Sequence, residues 1–411
     1  MQFAMRGLFA VLILFSSTYG VQAQDNPGFA AWLDAFRVVA LEAGISAEVF
    51  DSAFEGVQVS ERVLAADASQ PEFTRTIWSY LDGAVSSRRI TQGQARLAEN
   101  SDLFDQIEER FDVDRHVVVA IWGLESDYGQ VKGDLSIIQA LATLAYDGRR
   151  AAWGREQLLT ALLILEQGNM SPEEMRGSWA GAMGHTQFIP TSYMEYGVDM
   201  DGDNRRDLIG SHADALGSTA NYLARAGWDN ETTWGREVVL PMDFAYALSG
   251  QHNQQSLSQW RTLGIQYTDG TPIEISDATA SIIAPAGSQG PAFLIFNNFA
   301  VIKRYNNSTA YVMAIGHLAD RLRGGDAFMG NWPRDGAPLN LAQRREVQSL
   351  LTSHGYNPGT IDGILGARTR AAVRSFQRQA GLIEDGYVSM GLLERLREGP
   401  VADDGTEGAT P

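Results

Sequence analysis

Val117-Val118-Val119-Ala120-Ile121-Trp122-Gly123-Leu124-Glu125-Ser126-Asp127-Tyr128-Gly129 is an apolar run that ends on a carboxylate. Val117, Ile121 and Glu125 stand four residues apart, so a helix stacks them on one face, with Val118 beside them and Gly129 placed to stop the turn. Glu125 then shares the apolar side. Lost hydration and the negative end of the helix dipole both favour its protonated form, which is how a general acid is prepared. A satisfied or half-exposed Glu at a helix end is the competing reading, and periodicity leaves both open.

Outward from this run the composition is that of a globular chain. Its 411 residues suit two or three domains, and 44% hydrophobic content is enough for a sizeable core. Near the start, Arg6 precedes the apolar run Leu8 to Phe15 and then Val21-Gln22-Ala23, the pattern of a secretory signal over residues 1–23 cleaved before Gln24. That run is too short to span a bilayer comfortably and no later stretch is long and apolar enough, so the expectation is a soluble periplasmic protein with no stable membrane insertion, an uncleaved anchor being the alternative. There is no cysteine, which removes disulfides, thiolate chemistry and the attachment point of a lipoprotein anchor. A formal charge of -18 opposes nucleic acid and anionic membranes as partners.

Helical patterns lie on both sides of the central run. Phe29, Trp32, Phe36 and Val39 share a face, and Ser46 signals a helix start before Val49 and Phe50. Trp78-Ser79-Tyr80 places two aromatics in a polar neighbourhood, suited to core packing or to stacking on a sugar. Downstream, Ile137 to Asp147 and Trp153 to Gln167 read as core helices. Ser171-Pro172-Glu173-Glu174 combines an N-cap, a first-turn proline and a capping-box glutamate, which predicts a new short helix.

Gly177-Ser178-Trp179-Ala180-Gly181-Ala182-Met183-Gly184-His185-Thr186-Gln187-Phe188-Ile189-Pro190 is crowded with small residues. Missing side chains let a flat ligand approach the backbone, where Ser178 and Gln187 can hydrogen-bond it. Close helix packing through Gly and Ala is the alternative.

The E-S-x-x-G end of the central run, the G-S-x-A-G-A-M-G-x-x-Q-F-x-P-x-S-Y stretch and Tyr305-Asn306-x-Ser308-x-x-Tyr311 together closely resemble the lytic murein transglycosylases of the membrane-bound type B family. The resemblance runs from about Phe29 to Leu322, with the motifs in order. It implies a mainly α fold, lysozyme-like and α+β in its catalytic region, with a helical N-terminal part and a small β-containing insertion. It also implies cleavage of the bond between N-acetylmuramic acid and N-acetylglucosamine in peptidoglycan glycan strands without water, leaving a 1,6-anhydro end.

Ordinary glycosidases use two carboxylates. Asp127 is the nearest partner for Glu125, but two positions along a helix it points well away. One carboxylate acting as acid and then as base fits better, the muramic acid 6-hydroxyl supplying the nucleophile and the N-acetyl group assisting at C1, as thought for the family. By resemblance, Ser178 and Gln187 contact acetamido and hydroxyl groups, Met183 belongs to the floor, Tyr222 is a stacking wall and Tyr80 matches the W-x-Y aromatic. Tyr305 and Asn306 lie near the scissile bond and Tyr311 closes the site. No cofactor is required for this chemistry.

Asp199-Met200-Asp201-Gly202-Asp203-Asn204-Arg205-Arg206-Asp207 sets carboxylates at positions 1, 3, 5 and 9 of a calcium loop, with Arg205 at position 7, where a backbone carbonyl serves. Asn204 replaces the usual Gly and Gly210 the usual bidentate Glu. A structural calcium, or charge balance by the two arginines, are the two readings. Val238 to Leu240, Ser281 to Ile283 and Ala292 to Phe296 read as strands of the insertion. With the signal removed, residues 24–329 form the catalytic region and 330–338, with two prolines and two glycines, a linker. Residues 339–397, with helical patterns at Leu341 to His354 and Thr369 to Ala380 around Asp362-Gly363 and followed by Asp385-Gly386, resemble a small helical peptidoglycan-binding module. A protein-contact or spacer role is the alternative, and residues 398–411 read as a disordered tail.

Three classes of function remain in view: a lytic transglycosylase, a muramidase that uses water, and a non-catalytic wall-binding protein that keeps the cleft. The sequence names no protein partner.

Overall fold

The computed structural model describes residues 27–68, 75–147 and 149–399. The expected signal segment and residues 400–411 of the expected tail lie outside them. The described chain is mainly helical, with one small sheet and a two-stranded ribbon.

Two packed clusters build the main body. One is centred on the helix Arg115–Ser126, where Val117 to Gly123 are all buried. That helix is apolar all round, so it forms the core itself instead of lying on it. Asp114 caps its start by accepting from the His116 amide. The helix Thr309–Leu322 packs along it, capped by Ser308 through the Tyr311 amide, and presents Tyr311, Val312 and Ile315 to the same core. The second cluster gathers the helices Pro27–Glu42, Ile137–Tyr146 and Ala151–Glu166 around Phe36, Leu141, Leu158 and Leu162. On the first of these the buried face runs through Phe29, Phe36 and Ala40, while Val39 is exposed; eleven positions after Phe29 is closer to whole helical turns than ten.

The strands are β1 (Leu135–Ser136), β2 (Arg176–Gly177), β3 (Gly235–Val239), β4 (Gln255–Ser256), β5 (Gln266–Tyr267), β6 (Thr279–Ile283) and β7 (Ala292–Ile295). β1 and β2 pair antiparallel beside the floor stretch. The other five form one antiparallel sheet in the order β4-β6-β7-β3-β5, with Ile282 opposite Leu294 in its centre. β6 and β7 carry almost continuous buried residues, as strands covered on both faces must. Trp234 ties this insertion to the body: its indole N–H donates to Asp320 Oδ2 at 2.8 Å, on the Tyr311 helix.

The expected short helix after Ser171 is not formed. Ser171 to Glu174 forms the capping box, with Ser171 N–H to Glu174 Oε2 at 2.8 Å, yet only a turn follows. The chain is taken into β2 at once, and Met175 O accepts from Ile137 N–H, so the first turn has no room to propagate. Residues 330–338 carry no helix or strand, but they are strapped down. Trp332 lies near Trp78 and Phe293 at 6.0 and 6.3 Å, and Arg334 forms a bidentate pair with Asp82. Beyond them, helices Leu341–Ser353, Ala367–Gln379 and Met390–Glu398 close a separate small core on Val347, Val373, Phe376 and Leu393.

Candidate active site

Glu125 stands in the last turn of its helix, half-buried at the junction of the two large clusters. Burial pushes its pKa from the ordinary carboxyl value up to about 7, and the Tyr311 hydroxyl, donating to Oε1 at 2.6 Å, acts against that rise. Among the described residues no neighbouring carboxylate contributes to the shift. The carboxyl is therefore a mixture of acid and base near neutrality, prepared by dehydration and steadied by one neutral donor. Tyr311 is held well above its usual pKa by burial and by Glu125 itself, so it remains a hydroxyl.

The helix does not stop at Gly129. Asp127 is the left-handed cap, and Asp127, Tyr128 and Gly129 all take positive φ. This turn sends the Asp127 side chain to Arg88, which holds it in a bidentate pair at 2.9 and 3.0 Å. The carboxylate nearest in sequence to Glu125 is thus committed elsewhere. Gly129 is required for another reason: a Cβ there would lie 2.5 Å from the His185 ring. His185 Nδ1 accepts from the Trp122 indole at 3.1 Å, its carbonyl accepts from Ser126, and burial lowers its pKa to about 4. A neutral histidine thereby pins the floor stretch to the end of the Glu125 helix.

The floor is a tight irregular loop. Met183 pairs through its backbone with Gly177 and Phe188, and its side chain is completely buried, so it supports the floor from beneath. Ser178 Oγ accepts from the amides of Ala180 and Ala182. Gln187, at φ 53°, donates from Nε2 to the carbonyls of Lys132 and Gly184, which leaves its amide oxygen as the group to offer. Tyr305 donates its hydroxyl to Thr186 O and is close enough to Glu125 to be shifted by it. Its ring meets Tyr222 at 5.1 Å and Phe188 at 5.8 Å, and Tyr222 in turn meets Tyr196 at 4.6 Å. Tyr80 is near enough to Tyr311 to affect its ionisation, which places the W-x-Y aromatic at the same site. Asn306 is exposed in the short connection between Tyr305 and Tyr311.

The acidic loop is placed against the start of the helix His212–Arg225. Oxygens of Asp199, Asp201, Asp203 and Asp214 lie within 4.8 Å of one another. Asp207 is outside that group and instead accepts from the amides of Ile209 and Gly210. Asp214, which the loop pattern does not contain, is buried and accepts from Met200, Asp201 and Asp207 N–H. The signal for it was present: it is the third helical position after the N-cap Ser211. Neither arginine balances these carboxylates. Arg205 donates to Asn169 O and Arg206 to Gln167 Oε1. A cluster of carboxylate oxygens with no Lys or Arg pair among the described residues fits a hard, oxygen-seeking cation such as calcium.

Comparisons with known proteins agree with this geometry. The family model described as "Transglycosylase SLT domain" matches residues 28–320, and that described as "Putative peptidoglycan binding domain" matches residues 340–396. Membrane-bound lytic murein transglycosylase B of Escherichia coli (strain K12) is 33% identical over 236 residues, covering 57% of this chain and 64% of that protein, so the match spans just under two thirds of that relative. The crystal structure of SltB3 from Pseudomonas aeruginosa in complex with NAG-anhNAM-pentapeptide is similar with a TM-score of 0.88 at 49% identity, over 90% of this chain and 99% of that one. The Escherichia coli lytic transglycosylase Slt35 in complex with calcium has a TM-score of 0.62 at 27% identity, over 74% of this chain and 95% of that one. With one model covering most of the chain and a second covering the small C-terminal core, the protein belongs to the lytic transglycosylase family of the SLT domain type and carries a C-terminal module of the peptidoglycan-binding family.

Proposed function

We propose that the protein is a periplasmic peptidoglycan lytic transglycosylase that cleaves the MurNAc-β-1,4-GlcNAc bond without water and leaves 1,6-anhydro-MurNAc ends. Glu125 protonates the glycosidic oxygen as the bond to C1 breaks. The resulting carboxylate then takes the proton of the MurNAc 6-hydroxyl while that oxygen bonds to C1, and the enzyme is returned to its starting state. The sugar provides the nucleophile at high effective concentration. Ser178, Gln187, Tyr222, Tyr305 and Asn306 hold the glycan, with Tyr80 and Tyr311 bounding the site.

The observation that carries the reading is a carboxyl dehydrated to a pKa of about 7, with no carboxylate among the described residues contributing to that shift, whose nearest sequence neighbour Asp127 is tied to Arg88. A hydrolytic muramidase needs a second carboxylate about 5–9.5 Å away to activate water or to attack. No helix among the described residues is long and apolar enough to cross a membrane. The acidic loop supplies a structural calcium site that takes no part in the proton transfer.

Mass spectrometry of digested peptidoglycan tests this. Anhydro products, one water lighter than hydrolytic ones, are expected; reducing ends would indicate the muramidase and no product a non-catalytic wall binder. Glu125→Gln is expected to abolish cleavage while retaining glycan binding, and turnover in that variant would overturn the assignment.

A further inference from the structure

The helix Thr309–Leu322 carries Tyr311 in its first turn and, further along, Gly316, whose missing side chain leaves a gap that is filled from outside the helix. A Cβ on Gly316 would lie 2.3 Å from the ring of Trp234. One turn beyond, on the same face, Asp320 Oδ2 accepts the Trp234 indole N–H at 2.8 Å. The indole is therefore seated in this helix and hydrogen-bonded to it.

Trp234 has no freedom to follow if the helix moves. Its ring is buried, with Phe293, Phe299 and Phe328 around it at 6.3, 6.5 and 6.5 Å. Its carbonyl accepts from Phe296 N–H at 3.1 Å, and the next residue opens β3, with Gly235 opposite Ile295 of β7. Just before it, the carbonyls of Asp229 and Thr232 accept from the side chain of Asn298, which is buried in the first turn of the helix Asn297–Tyr305. The root of the sheet insertion thus grips both helices that carry tyrosines into the site, one through Trp234 and the other through Asn298. At the far end of the Tyr311 helix, Arg323 pairs with Asp320 at 3.2 Å and reaches Asp114, the N-cap of the Glu125 helix.

We propose that Trp234 is a positioning residue for catalysis: seated on Gly316 and Asp320, it sets the axial position of the Tyr311 helix and so the hydrogen bond from Tyr311 to Glu125. This deepens the role given to Glu125 and rests on it. A helix moves as a rod, so a displacement at Gly316 reaches Tyr311, about 7.5 Å away along the axis, little diminished. Hydrogen bonds weaken steeply with distance and angle, and the Tyr311 bond is 2.6 Å long. Tyr305, on its own helix, is the other titratable group coupled to Glu125 among the described residues.

The test titrates the Glu125 carboxyl directly by NMR, its signal assigned by its loss in Glu125→Gln, and measures initial rates beside it. Gly316→Ala, which pushes the helix from the ring, and Trp234→Phe, which removes the indole N–H, are each expected to raise the Glu125 pKa by about 0.5 unit and to lower kcat about threefold with KM unchanged. Combined with Tyr311→Phe, neither change should add a further shift, because the bond they act through is gone. Ile282→Val loosens the core of the same sheet without touching Trp234 and should leave the pKa in place. A parent-like pKa in Gly316→Ala and Trp234→Phe, an equal shift in Ile282→Val, or full additivity with Tyr311→Phe would overturn the proposal. The titration needs no turnover, so failure of the lytic assignment, read from products, is distinct from failure of this one.

Discussion

Tyr311 sets how far Glu125 departs from an ordinary carboxyl. Its hydroxyl stabilises the charged form, so Tyr311→Phe should raise the Glu125 pKa above about 7 and move the alkaline limb of the activity profile upward. The maximal rate should fall roughly tenfold or more, because the carboxyl also loses its anchor. A pH profile of initial rates checks both effects. Stability follows the same group with a definite sign. Its folded pKa lies above its unfolded one, so between about pH 4.5 and 7 the native state binds more protons and stability falls as pH rises. Glu125→Gln removes that penalty and should be more stable than the parent at pH 8, by about 1–3 kcal/mol in denaturant titrations, with no gain at pH 4. These values could not be read from sequence. Periodicity placed Glu125 on an apolar face, but Tyr311 comes from a helix 186 residues later, and only packing brings the two together.

Elements were legible where period and capping agreed, and obscure where the backbone turned left-handed. The Glu125 helix, the core helices that follow it and the three expected strand runs of the insertion were all visible as patterns. The short helix after Ser171 was not realised, because strand pairing overrode a correct local cap. The role of His185 was hidden: nothing in a Gly-rich stretch indicates that its one imidazole will lock against Trp122. In the acidic loop the pattern supplied three of the four clustered carboxylates, and the fourth came from the helix behind it. This element should respond to metal. Millimolar calcium is expected to raise the melting temperature by several degrees, chelator to reverse it, and Asp203→Asn to abolish the shift, as measured by calorimetry; a ligand at a hundred times its dissociation constant contributes about 2.7 kcal/mol.

At the scale of the molecule, the linker is a joint under constraint. Composition alone marks 330–338 as loose chain, because two prolines and two glycines carry no information about what Trp332 will touch. In the structure its ring meets Trp78 and Phe293, while Arg334 reaches Asp82. Trp332→Ala should free the module without unfolding either part: proteolysis within 330–338 should accelerate severalfold, while the product pattern on short soluble glycans stays the same. An unchanged cleavage rate would show that the strap does not restrain the segment. The Arg334 contact joins positions 252 residues apart in sequence. Closing so long a loop has an entropic cost that must be met before the contact stabilises anything, so this docking belongs to the end of folding. The helices of the body and the sheet bearing Phe293 have to stand first. For a chain made from its amino end, Trp332 is then a latch between two stages: it closes on walls supplied by Trp78 and Phe293 before the helices that follow it have been made.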